Sequence, residues 1–185
     1  MTQVTAYTNE GRYKCLEDLP IDSAELSLGY CGWEQCYPGH RFGPNKRASY
    51  ALHIIANGKG KLEKNGEVFH LTTGDAFLLC PEEEAWYEAD KKEPWTYAWI
   101  GLYGYKVKKI MQYAGFSKEK SVRSLKCTAL LKSYVDEILE VHRLTTEEAM
   151  RRNGYLNLFL ATLIEDNEKF NTKTTPEHTY PGTVY

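Results

Sequence analysis

Hydrophobic and polar positions alternate with a period of two through the first half of the chain and with a period of three to four after it. The pattern is densest between residues 49 and 81. Tyr50, Leu52 and Ile54 occupy one face of a strand, and Ala51, His53 and Ile55 occupy the other. Bulky residues on both faces predict a strand covered on both sides, as inside a small barrel. Asn57-Gly58-Lys59-Gly60 breaks it, because Asn and Gly adopt positive φ readily. Lys61 to Lys64 and Glu67 to Leu71 predict two strands joined at Asn65-Gly66, a strong two-residue hairpin signal. Thr73-Gly74-Asp75 turns the chain into the apolar strand Ala76 to Cys80, which Pro81 stops. Upstream, Leu26 to Tyr30 alternates as a strand should. Cys31 to Arg47 reads as an ordered loop, with Trp33, Tyr37 and Phe42 to bury. Downstream, Ala85 to Ala89 and Trp95 to Tyr103 predict two further strands. The second carries Trp95, Tyr97 and Trp99 on one face and Thr96, Ala98 and Ile100 on the other. Met1 to Asp18 is polar and reads as a loosely held arm, with Tyr7 and Tyr13 available to pin it.

From Tyr105 the period becomes helical. Val107, Ile110, Met111 and Ala114 form one stripe, closed by a C-cap at Gly115. Leu131, Tyr134, Val135, Ile138, Leu139 and His142 form a second. Thr145 to Glu148 has the form of a capping box, Thr145 as N-cap and Glu148 three residues on. The helix it opens carries Tyr155, Leu156, Phe159, Leu160 and Leu163, with Met150, Leu158 and Ile164 beside them. That is more apolar surface than a helix wetted along one side needs, so a partner chain is expected on one of its faces. Residues 171–185 are Thr- and Pro-rich without periodicity, a linker by composition.

The ordered set of strand, GxG turn, strand, NG hairpin, strand, TGD turn, apolar strand and Pro81 resembles the cupin-like sensing domain of AraC-family transcription regulators. The spacings Arg47 to Gly60 and Gly66 to Pro81, the strand Trp95-Thr96-Tyr97-Ala98-Trp99-Ile100-Gly101, and the run Cys31 to His40 with Phe42-Gly43-Pro44 fit the same resemblance. They point to its sugar-operon branch, whose regulators control raffinose, melibiose and mixed-sugar uptake. The fold implied is mainly β with C-terminal helices: a cupin-like jelly-roll barrel followed by two to three α-helices. The division implied is an arm at 1–18, a ligand-binding barrel at 19–104, a helical dimerisation segment at 105–170 and a linker at 171–185. Beyond that linker the family continues into helix-turn-helix units, and no stretch here resembles them. DNA contact is therefore expected only through a domain absent from this chain.

Length, charge and cysteines fit this picture. The 185 residues suffice for one domain with a core that needs no staples. Net charge is −2 and the isoelectric point about 6.2, so the chain lacks the basic footprint of a nucleic-acid binder. Cys15, Cys31, Cys36, Cys80 and Cys127 are odd in number and contain no CxxC, which predicts reduced thiols and a cytoplasmic protein. Cys31 and Cys36 lack the usual zinc spacing, and no metal is expected. No apolar run approaches the ~20 residues of a membrane span.

Fourteen Tyr and four Trp supply either barrel packing or stacking surfaces for a sugar-like ligand. The resemblance places ligand contacts at Asn57, Tyr87, Tyr97 and Trp99, with His53 and Arg47 behind them, and dimerisation on Tyr155, Leu156, Phe159, Leu160 and Leu163. Arabinose sensors of the family carry Arg where Asn57 stands and His where Tyr97 stands, so a different or larger saccharide is expected. No catalytic residue and no cofactor are expected. The partners implied are a small-molecule sugar effector and a second copy of the chain. The rival reading is a small metal-dependent cupin enzyme, an isomerase or dioxygenase. Such enzymes use an HxH pair, a carboxylate and a further His, whereas the first strand offers His53 alone, between Leu52 and Ile54.

Overall fold

A computed structural model describes residues 6–171. Eleven strands and three helices follow in chain order. The strands are β1 (Ala6–Glu10), β2 (Tyr13–Glu17), β3 (Ser27–Gln35), β4 (Arg41–Asn45), β5 (Tyr50–Asn57), β6 (Lys59–Lys64), β7 (Glu67–Thr72), β8 (Asp75–Leu79), β9 (Ala85–Ala89), β10 (Thr96–Tyr103) and β11 (Val122–Ser124). The helices are α1 (Val107–Tyr113), α2 (Thr128–Glu140) and α3 (Thr146–Asn171). A seven-stranded sheet has the order β1-β2-β3-β10-β5-β8-β11, and a four-stranded sheet the order β4-β9-β6-β7. Every strand pair in both sheets is antiparallel. The two sheets face each other as a cupin-like barrel, and the helices cover the outside of the larger sheet.

The two-faced strand explains this arrangement. On β5, Leu52 and Ile54 join the core shared with the helices, where Leu131, Val135, Ile138 and Leu139 of α2 are buried. Ala51 and Ile55 join the second core between the sheets, with Leu62, Phe77, Tyr87, Trp95 and Tyr97. β10 divides its residues likewise: Ala98, Ile100 and Leu102 face the helices, and Tyr97 with Trp99 faces the barrel. The hairpin at Asn65-Gly66 turns with φ of 53° and 78°, the positive pair that a two-residue turn of this kind requires. Lys64 and Glu83 meet 3.0 Å apart in the interior, and the Lys64 ammonium also donates to the Lys118 carbonyl at 2.9 Å, tying β6 to the connection ahead of β11.

The chain departs from the sequence pattern in five places. Residues 6–17, expected as a loose arm, form the β1–β2 hairpin, and β2 pairs with the edge of β3. An open sheet edge offers unpaired backbone groups, so a polar segment with only Cys15 and Leu16 to bury still gains a full ladder. The expected loop 31–47 is mostly strand: β3 runs on to Gln35, and β4 pairs with β9. Within the helical segment, β11 returns to the large sheet beside β8. Glu148 does reach back from the first turn of α3, but to the Arg143 amide at 2.6 Å rather than to Thr145.

The fifth departure concerns α3. Leu156, Phe159, Leu160 and Leu163, expected on a dimer face, lie in the chain's own core at 5% exposure or less, and Tyr155 is half-buried. This stripe packs on α2 and β3, which leaves Met150, Gly154, Leu158 and Ala161 facing outward at helical spacing. The linker expected at 171–185 lies, after Asn171, outside the described residues.

Candidate functional site

β3 and β10 run side by side, and three rungs on their barrel face pair a ring with a small or polar residue. Tyr97 is opposite Glu34, Trp99 opposite Gly32 and Gly101 opposite Tyr30. The glycines are required by close approach: a Cβ on Gly101 would lie 2.1 Å from the Tyr30 ring, and one on Gly32 would lie 2.5 Å from the Trp99 ring. The Tyr30 and Trp99 rings therefore lie across their neighbours' backbone, which builds an aromatic wall.

The floor in front of this wall is buried. His53 stacks on Phe77 with centroids 4.4 Å apart, and its Nε2 lies 3.3 Å from the Tyr87 hydroxyl. Tyr87 and Tyr97 meet edge to face at 5.8 Å, and Tyr97 contacts Trp99 at 5.4 Å. The Tyr97 hydroxyl donates to Glu34 Oε2 at 3.2 Å. The rim is half-exposed and consists of Tyr30, Phe42, Arg47 and Trp99. The Arg47 guanidinium lies 5.3 Å from the centre of Tyr30 and 5.2 Å from that of Phe42, and Phe42 stacks on Tyr87 at 5.2 Å. Tyr30 reaches the Ser49 hydroxyl at 2.7 Å. No ion pair is formed by Arg47 among the described residues, so its charge is set against rings and hydroxyls. The β1–β2 hairpin completes the wall: Tyr13 lies 5.9 Å from Trp99.

Burial sets the protonation of the floor. It holds the Tyr87 and Tyr97 hydroxyls well above the usual phenol range. Burial, with the Arg47 charge adding to it, holds His53 down at about 3, so the ring is neutral at any physiological pH. The result is a surface of apolar ring faces and neutral hydroxyls, with the Arg47 guanidinium on one edge and the Glu34 carboxyl group on another. Such a surface can stack on the C–H faces of a polyhydroxylated ring and offer its hydroxyls charged or neutral hydrogen bonds. Among the described residues His53 and His70 do not make a shared centre: His53 is buried in the barrel, whereas His70 is exposed on β7.

Of the six residues expected at the ligand, the structure brings five together, namely Arg47, His53, Tyr87, Tyr97 and Trp99. Asn57 stands apart. It is exposed at the last position of β5, where the β5–β10 register shifts between Thr96 and Tyr97 and breaks the alternation that would have pointed Asn57 inward. Sequence reasoning missed Tyr30, Phe42, Tyr13 and Glu34. For Tyr30 a partial signal was available, since Gly101 in an otherwise aromatic strand marks a place of close approach.

A family model described as the AraC-like ligand binding domain matches residues 27–153, well over half of the chain. The chain belongs to this family. Among curated relatives, the Msm operon regulatory protein of Streptococcus mutans is 34% identical over 150 residues, covering 80% of this chain and 54% of that protein. The lactose operon transcription activator of Staphylococcus xylosus is 36% identical, covering 48% of this chain and 31% of the relative. The raffinose operon transcriptional regulatory protein of Pediococcus pentosaceus is 38% identical over 50% of this chain and 33% of its own length. The chain thus spans about half the length of the first of these relatives and about a third of the other two. Similar solved structures include a cupin superfamily protein from Desulfitobacterium hafniense, with a TM-score of 0.36 and 10% identity over 54% of this chain and 76% of that one. Among the described residues no helix is long and apolar enough to cross a membrane.

The buried histidine gives a stability signature. An unfolded His takes up a proton below about pH 6.5, but folded His53 does so only near 3, so its contribution is intact above 6.5 and is lost as pH falls. Urea unfolding at pH 7 and 5 should show the wild type losing about 2 kcal/mol more than His53→Gln over that interval, at about 1.4 kcal/mol per pH unit. Equal losses would mean that His53 titrates normally in the fold.

Proposed function

We propose that this chain is the effector-sensing and dimerisation part of a cytoplasmic transcription regulator of carbohydrate uptake, and that it has no catalytic activity of its own. The observation that carries the reading is the half-exposed rim of Tyr30, Phe42, Arg47 and Trp99 above a neutral aromatic floor. Its ring faces can stack on a saccharide, and Arg47 and the Glu34–Tyr97 pair supply hydrogen bonds at its edges. The relatives named for the raffinose and lactose operons support a mono- or oligosaccharide as the ligand class. DNA recognition, in this reading, belongs to another domain of the whole regulator.

The mechanism is a shift between two arrangements, of which the effector must bind one better than the other. The β1–β2 hairpin is the element placed to sense it. Its Tyr13 borders the saccharide wall, while on the same hairpin Tyr7 stacks on His142 at 4.0 Å and Lys14 donates to Glu140 of α2 at 2.5 Å. A ligand that moves Tyr13 therefore acts on the end of α2 and on α3 packed against it. The second copy of the chain docks on the outward stripe Met150, Gly154, Leu158 and Ala161, since the neighbouring stripe is spent on the chain's own core.

Thermal unfolding against raffinose, melibiose, lactose and arabinose tests the ligand. One saccharide at a hundred times its dissociation constant should raise the midpoint by about 5–10 °C, from about 2.7 kcal/mol of added stability at 2–4 °C per kcal/mol. Trp99→Ala should abolish that rise. No rise with any saccharide would remove the reading. Sedimentation equilibrium tests the helix: Leu158→Asp should turn a dimer into a folded monomer. Leu163→Ala should instead lower stability by about 2–5 kcal/mol. A dimer unmoved by Leu158→Asp would place the interface elsewhere.

A further inference from the structure

We propose that Glu34, Cys36 and His40 form a binding site for a thiophilic divalent cation of the zinc class. A carboxylate, a thiol and an imidazole each offer one ligand atom here, all within 4.8 Å of one another. His40 Nε2 lies 3.5 Å from Glu34 Oε1. Zinc takes this donor set in tetrahedral geometry, at about 2.0–2.3 Å from each ligand atom, with water able to fill a fourth position. Mixed thiolate, imidazole and carboxylate donors favour zinc and its late first-row neighbours over magnesium or calcium, which prefer oxygen alone.

The backbone carrying the three donors is already fixed. The Cys36 amide donates to the Trp95 carbonyl at 3.0 Å. The chain then turns: the His40 amide donates to Tyr37 O at 3.0 Å, with Gly39 at a φ of 70° between them. The His40 carbonyl accepts the Ala89 amide at 2.9 Å, which anchors the far side of the turn to β9. The turn thus brings His40 back beside Glu34, four residues after a thiol that is fully buried. Glu34 is also oriented from outside the triad, since its other oxygen accepts the Tyr97 hydroxyl at 3.2 Å. Hydrogen bonds of this sort hold a metal-binding carboxylate in place. A groove lined by Arg12, Tyr13, Glu34 and Tyr37 opens Glu34 to solvent, and the His40 side chain is 39% exposed. The site goes beyond the saccharide reading and stands independently of it, although the two share Glu34. A cation on Oε1 leaves Oε2 on Tyr97, so it stiffens one edge of the saccharide wall.

Titration of the reduced, chelator-washed chain with Co²⁺ tests the site directly. One equivalent should give a thiolate-to-cobalt charge-transfer band in the near ultraviolet, bleached by one equivalent of Zn²⁺. Cys36→Ser should abolish the band. Cys80→Ser with Cys127→Ser, at the two partly exposed thiols, should leave it unchanged. His40→Ala should weaken cobalt binding at least tenfold with the circular dichroism spectrum unaltered. Because His40 lies at the surface, this variant carries the test even where Cys36→Ser fails to fold. A folded wild type without the band, a band that survives in Cys36→Ser, or unchanged affinity in His40→Ala would overturn the proposal.

Discussion

The large sheet is covered on both faces, and the remainder of the molecule follows from that constraint. A residue on β5 or β10 serves the helix-side core or the barrel core according to whether its position is even or odd. Leu52, Ile54, Ala98 and Ile100 hold the helices, while His53, Tyr97 and Trp99 form the barrel lining. A slip of one residue would exchange these sets and put aromatic site residues under α2. Register is therefore fixed twice over, and the rings of the site inherit their positions from packing that has nothing to do with ligand.

That division also links the candidate site to the helices. The wall and the helix-side core are opposite faces of the same strands, about one sheet thickness apart. The hairpin adds a second connection along the edge, from Tyr13 beside Trp99 to Tyr7 on His142. A saccharide sensor needs such a route, because its binding energy must alter the arrangement of elements it does not touch. Membership of the AraC-like ligand binding family and the operon regulators among its relatives agree with this economy of design.

Much of this was readable in the amino-acid order, and the failures have physical causes. The faces of β5, the Asn65-Gly66 turn and the aromatic strand were legible because period-two alternation and positive-φ residues are local signals. The β1–β2 hairpin was not, because β2 is held by backbone pairing to β3 and β1 by pairing to β2, which leaves little hydrophobic trace. In α3 apolar residues surround the helix, and composition cannot tell which stripe meets the chain's own core. Leu156 and Phe159 proved to be inside and Leu158 outside. Asn57 followed the alternation on paper, but the β5–β10 register shift turned it out. The triad of Glu34, Cys36 and His40 was hidden because the turn at Gly39, not sequence spacing, brings His40 back.

Amide hydrogen exchange with and without a stabilising saccharide tests most directly whether the β3–β10 wall is the effector site and the hairpin its reporter. The account predicts slowed exchange in residues 30–35, 85–88 and 97–101 and in the hairpin around Tyr13, with the change extending to the end of α2. Protection confined to the outer face of β6 and β7, or to the exposed stripe of α3, would contradict it.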